Sequence, residues 1–396
     1  MPSAETISTS IDLLSPEVVR DPYPFFTEER VRGEVLWHEA SGGYLTFTHA
    51  AASAALRDRR LGRIWKDREP TDYLEPFNLL HRNQMMENEP PDHTRLRRLV
   101  AGAFNRGHVE RLRPRVRELA GQLLAEVDPD DFDVIGSYAE PLPVLVIAEL
   151  LGAPTSLASE LRDWSQAIVK MYEPSPSEQV IGAAVSAAAD FAELVREIAV
   201  ARAAKPAADL ITDLVQARDD GARLSDDEVV ASAVLLLNAG HEASVNVFGN
   251  GLVALLRSGQ PLPRPDQVTT CIEEMLRYDS AAQLFERTAT GEVAVAGVTL
   301  QPGEKISVLL GAANRDPAMF DRVEEFVIDR DPNPHLAFGA GLHFCIGAPL
   351  ARMELFESLS HLFGTFPGLS LAREPESRGT FVLRGYEAVH VRGNRG

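Results

Sequence analysis

The stretch Phe338-Gly339-Ala340-Gly341-Leu342-His343-Phe344-Cys345-Ile346-Gly347-Ala348-Pro349 carries one cysteine behind a glycine-broken loop. Apolar residues then recur with helical spacing at Leu350, Ala351, Met353, Leu355, Leu359, Leu362 and Phe363, as far as Gly364. A sulfur at a helix start faces unpaired backbone N–H groups and the positive end of the dipole, which favours thiolate over thiol. Glycines let the backbone approach a flat ligand without side chains in the way. The chemistry this suits is a thiolate held against something bulky and electrophilic, such as a metal in a macrocycle. The competing reading is a buried cysteine on a glycine-rich connection, the common fate of a lone Cys.

A second group, Ala239-Gly240-His241-Glu242-Ala243-Ser244, needs a long helix to position it. Ser225 and Glu228 have the spacing of a capping box. No proline follows from Asp226 to Arg257, which allows a helix of about 32 residues, roughly 48 Å long. Its first half is nearly all apolar, as in a helix buried through a core. Small residues in such a helix let a ligand approach its backbone, and a buried acid is costly unless it is used or paired. The alternative is a solvent-facing Glu242 beside a packing glycine. On the next helix Glu274 and Arg277 are three apart and share a face. Taken alone, that pair reads as a surface salt bridge worth under about 1 kcal/mol.

The rest of the chain supplies the frame. From Ala50 to about Thr290 the pattern is helical, with Trp65 to Pro91 and Tyr172 to Ser177 reading as irregular loops. Val35 to His38 and Tyr44 to Phe47 read as a hairpin. Short strands are expected at Val293 to Val295, Val298 to Leu300, Ile306 to Leu309, Thr380 to Leu383 and Ala388 to Val391. The expected fold is mainly α with a minor discontinuous β part, a single domain over residues 1–396 whose residues 1–20 form a polar arm. A net charge of −19 argues against nucleic acid or an anionic membrane as partner. Cys271 and Cys345 give no disulfide framework, and no leader or membrane-spanning stretch is visible, so a cytoplasmic monomer is expected.

Together these residues resemble the cytochrome P-450 haem-thiolate monooxygenases of the soluble bacterial type. The resemblance rests on Phe338, Gly339, Gly341, His343, Cys345 and Gly347 in the cysteine stretch, and on the Glu274/Arg277 pair. It extends to Ala239-Gly240-His241-Glu242 in the long helix, to Pro90-Pro91-Asp92-His93-Thr94-Arg95-Leu96-Arg97, and to Ala313-Asn314-Arg315-Asp316-Pro317. It covers essentially the whole chain, in the family's order. It implies a P-450 fold with the long helix over haem b, and Cys345 as the iron ligand. It also implies His93, Arg97, Arg287 and His343 as partners of the haem propionates, for which an arginine fork is well suited. Phe338 would shield the thiolate beside Gly339 and Gly347, while Glu274 and Arg277 would hold the segment leading to the cysteine.

One position departs from the family. Where a threonine hydroxyl usually helps deliver protons to the reacting dioxygen, this chain has Ala243. Ser244 lies about 100° further around the helix. Gly240, Glu242, Ala243 and Ser244 are therefore the catalytic candidates, with three routes open. A substrate hydroxyl and a water replace the threonine, the enzyme couples or cyclises without inserting oxygen, or Ser244 and Glu242 relay protons. No flavin or nicotinamide fingerprint is present, so the resemblance implies a separate ferredoxin or flavodoxin. Between His93 and Arg117 stand eight arginines (Arg95, Arg97, Arg98, Arg106, Arg111, Arg113, Arg115, Arg117) against Glu110 alone, a candidate basic docking face. By family position the pocket draws on residues 65–86 and 164–172, and on Leu237, Leu284, Phe285, Phe381 and Val382. A medium-to-large hydrophobic secondary metabolite such as a polyketide is expected, free or bound to a carrier protein. A haem-fold recruitment protein without activity is the non-enzymatic alternative.

Overall fold

In the computed structural model, residues 7–103, 106–173 and 175–395 are described, apart from the side chains of Ala103, Arg106 and His108. The capping box forms: Ser225 Oγ accepts from the Glu228 N–H at 3.2 Å, and Glu228 Oε2 from the Ser225 N–H at 2.8 Å. The helix it starts runs Asp226–Arg257, with nearly every position from Val229 to Val253 buried. It is the axis of the largest apolar cluster. The cysteine helix spans Ala348–Thr365 and the Glu-x-x-Arg helix Val268–Tyr278.

The main sheet has six strands in the order Ser8–Thr9, Val35–His38, Gly43–Thr46, Lys305–Leu309, Leu284–Ala289 and Leu61–Gly62. The expected hairpin pairs Val35 with Thr46 and His38 with Gly43, antiparallel. Leu284–Ala289 runs antiparallel to Lys305–Leu309. A second cluster packs this sheet against the helix His49–Arg57, whose C-terminal end meets the cysteine loop.

Several expectations are corrected. Within 65–91 the chain folds into a helix at Thr71–Arg82 and a 3-10 turn at Met85–Glu87. Pro76 lies inside that helix, and its polar, proline-bracketed sequence hides the pattern. The N-terminal arm is not merely polar: Ser8 and Thr9 pair parallel with Trp37 and His38, and Val18 and Val19 are buried. Residues 380–383 form no strand, only a bridge from Leu383 to Ala282.

Candidate functional site

Cys345 lies just outside its helix, in the turn that ends at the N-cap Gly347. The Phe338 carbonyl accepts from the Cys345 N–H at 3.0 Å, closing the loop. Gly341 has φ +70°, and a Cβ there would stand 2.4 Å from the Leu56 carbonyl oxygen, so backbone passes backbone where no side chain fits. Gly339 has φ +68° and packs against the ring of Phe285. The backbone N–H groups of Gly347 and Ala348 point at Sγ. They do not make the thiolate the favoured form, as the helix-start argument expects. Burial is the largest effect on Cys345 and pushes its thiol up, outweighing those N–H groups and the charges of Arg97 and Arg352.

Beside the loop stand the expected cations. His93 is buried, and neither ring nitrogen has a partner among the described residues. Burial, then the charges of His343 and Arg97, lowers it to about 4. Arg287 is buried, with Nη1 on the Glu286 carbonyl at 2.9 Å, and burial with Arg63 nearby lowers it to about 10. Arg97 Nη2 donates to the Phe344 carbonyl at 2.7 Å. His343 Nε2 donates to Glu89 at 2.7 Å, and the same oxygen takes the Arg63 N–H at 2.7 Å. Its ring lies 4.5 Å from that of His93.

This donor set fits a haem. A lone sulfur in a glycine cradle stands near buried cations and an imidazole with free nitrogens, the arrangement a flat metal macrocycle with acidic arms requires. No cluster of three metal-ligating side chains occurs among the described residues, so Cys345 alone matches no bare-ion site.

On the central helix, Ala239 is exposed and Gly240 and Ala243 are half-buried, within a segment otherwise buried. One face of small residues is thus accessible in the middle of the core. Glu242 does not join that face. Its Oε2 accepts from Arg378 Nη1 at 2.7 Å, while Oε1 lies 3.7 Å from His241 Nδ1. His241 is fully buried and lowered to about 3 by burial, then by Arg378 and Arg162. Ser244 points elsewhere than Ala243, as the helical angle requires. It lines a cavity of about 20 Å³ with Ala139, Leu142, Phe248 and Glu354, room for one water. Glu354 is the acid that sequence reasoning missed. Both of its oxygens lack partners among the described residues, and burial pushes it up to about 8.

The pocket expectations divide. Leu237 is fully buried in the core. Phe381 is buried against Phe26, 6.4 Å between rings, and Phe285 packs on Gly339. Leu284 and Val382 remain partly accessible beside Phe381. At the other wall Trp65 stacks on His81 at 4.7 Å, and His81 Nε2 meets the Tyr172 hydroxyl at 3.1 Å. The neighbouring Glu173 accepts from the backbone N–H groups of Phe381, Val382 and Leu383.

The Glu274–Arg277 pair is fully buried, not a surface bridge. Glu274 accepts from Arg277 Nε at 2.8 Å and Nη2 at 2.7 Å, and also from the Val327 N–H at 2.8 Å and Arg330 Nε at 3.0 Å. Arg277 donates to the carbonyls of Asn314 at 3.0 Å and Glu325 at 3.1 Å. The pair thereby fixes the segment that leads to the cysteine loop. Most arginines of the basic run are neutralised: Arg95 by Glu228, Arg98 by Asp219, Arg113 and Arg117 by Glu357, and Arg115 by Glu149. The side chain of Arg106 lies outside the described residues.

A central helix with an accessible small-residue face, a cysteine in a glycine cradle and a buried Glu-x-x-Arg pair define a haem-thiolate protein. Comparison with known proteins agrees. The Cytochrome P450 family profile matches residues 267–378. The chain is 36% identical to the 6-deoxyerythronolide B hydroxylase of Saccharopolyspora erythraea, over 88% of this chain and 90% of that protein. It is 35% identical to the cytochrome P450 monooxygenase PikC of Streptomyces venezuelae, over 97% of this chain and 94% of PikC. The crystal structure of P450BioI in complex with hexadec-9Z-enoic acid ligated acyl carrier protein superimposes with a TM-score of 0.89 at 30% identity, covering 96% of this chain and 99% of that one. The chain belongs to the cytochrome P450 family. It is a haem b monooxygenase that incorporates oxygen from dioxygen, and like its family it needs a redox partner. Among the described residues no helix is long and apolar enough to cross a membrane.

Proposed function

We propose that this monooxygenase hydroxylates or epoxidises a medium-to-large hydrophobic secondary metabolite of the polyketide type, with protons supplied through Glu354 and Ser244 in place of a threonine hydroxyl. Cys345 would ligate the iron of a haem, which when bound would supply dioxygen activation. His93, Arg97, Arg287 and His343 would hold its acidic arms, and Phe338, Gly339 and Gly347 would shape the sulfur side. The observation that carries the proton route is the small cavity shared by Ser244 and Glu354, one residue along the helix from Ala243. A carboxyl pushed up to about 8 is still protonated near neutral pH and is suited to pass a proton on. Glu242 is held by Arg378 and has no part in this route.

The names of the relatives support the substrate class, and the apolar wall residues Trp65, Leu284 and Val382 support its hydrophobic character. Electrons come from a ferredoxin or flavodoxin. Candidate substrates, free and as carrier-protein thioesters, are screened for a shift of the iron spin state. Hits are then turned over with reductant and ferredoxin under labelled dioxygen. A product heavier by one labelled oxygen supports the reading; a product lacking it supports oxidative coupling. Binding without any turnover would support a recruitment role.

A further inference from the structure

The proximal side of the cysteine loop carries a charge cluster that the reading above does not use. Glu273 sits next to the buried Glu274 on the helix Val268–Tyr278, but points the other way. Arg352, on the cysteine helix, grips it with both arms of its fork, Nε at 2.6 Å and Nη2 at 2.7 Å. His335 Nδ1 accepts from the Ala337 N–H at 3.2 Å, so Nε2 carries the hydrogen and donates to Glu273 at 3.0 Å. Burial alone would raise Glu273, but these two donors outweigh it and hold the carboxyl down at about 2. Gripped this way, the Arg352 guanidinium lies 4.5 Å over the face of Phe338. Phe338 is the residue whose carbonyl holds the Cys345 N–H.

We propose that Arg352, clamped by Glu273 and stacked on Phe338, is a positioning residue that sets the donor strength of the Cys345 sulfur and so the reduction potential of the haem iron. A cation beside the thiolate stabilises negative charge on sulfur, lessens donation to iron and favours the reduced metal. Glu273 opposes that effect and at the same time fixes where the cation sits. The two residues therefore act with opposite sign, which damage to the fold cannot imitate. Arg352 is more exposed than its partner, with side-chain exposure of 38% against 23%, so solvent moderates both effects.

The inference rests on Cys345 being the iron ligand, and the test separates the two. Redox titration of the haem is carried out on the wild-type holoenzyme and on Arg352→Gln, Arg352→Lys and Glu273→Gln. The reduced carbon monoxide spectrum of each variant reports thiolate ligation independently. Arg352→Gln is expected to lower the potential, Glu273→Gln to raise it, and Arg352→Lys to fall between Arg352→Gln and wild type. Combining Arg352→Gln with Phe338→Leu is expected to give less than the sum of the single shifts, because the cation acts partly through the ring. If Arg352→Gln fails to retain haem, Glu273→Gln decides, and its potential must rise. Shifts of the same sign in both charge variants, or no shift in variants that keep the thiolate spectrum, would overturn the proposal.

Discussion

At the scale of single residues, the proposed proton route replaces the hydroxyl that Ala243 lacks with Ser244 beside it and Glu354 far away in the chain. Replacing Glu354 by Gln removes the acid but keeps its shape. Product formed per reducing equivalent is expected to fall by ~10-fold or more, since a positioned acid contributes roughly 10²–10⁴ in rate. Ser244→Ala is expected to lower the same ratio, while Glu242→Gln changes it less. The pH dependence follows from burial. Glu354 is protonated in the folded chain up to about 8 against an ordinary 4.5, so its acid form is lost, and coupling falls, as pH rises through 8. The same shift means that the folded state binds more protons than the unfolded one between these values. Stability therefore falls as pH rises across that window, by at most ~1.4 kcal/mol per unit. Glu354→Gln should flatten both profiles in thermal unfolding and in turnover.

At the scale of elements, two contacts carry the arrangement. The buried Glu274–Arg277 pair ties one helix to the segment from Asn314 to Asn333. Removing one partner leaves an uncompensated buried charge, at a cost of ~3–5 kcal/mol. Arg277→Ala is expected to lose most haem on purification and to melt well below wild type, read by absorbance and calorimetry. Residues 172 and 173 link the two walls of the pocket, Tyr172 to His81 and Glu173 to the N–H groups of 381–383. Glu173→Ala frees one wall. Stopped-flow binding of a spin-shifting ligand should show faster association and dissociation, with little change in melting temperature; unchanged rates would mean that this contact does not limit access. Both contacts bridge distant parts of the chain. That is why the sequence pattern shows the Glu-x-x-Arg spacing but not what it holds.

At the scale of the whole molecule, what was readable in the sequence is what is local. The capping box of Ser225 and Glu228, the proline-free run to Arg257 and the glycine cradle of Cys345 are each set by neighbours within a few residues. The helix Thr71–Arg82 was hidden by Pro76, because proline within a helix breaks the pattern used to find one. Glu354 was hidden because an acid among helical apolar positions reads as a solvent-facing residue, and only the packing against Ser244 and Phe248 buries it. Arg378 meets Glu242 from 136 positions away, so no spacing reveals that the distal acid is clamped. The basic run is misleading for the same reason, its charge being met by acids such as Glu228 and Glu357 elsewhere in the chain. The haem-thiolate assignment depends on one sulfur, that of Cys345. Reduced, carbon monoxide-treated holoenzyme is expected to show the red-shifted band of thiolate-ligated haem, and Cys345→Ser protein with bound haem to lack it. Wild-type protein with bound haem but without that band would contradict the account.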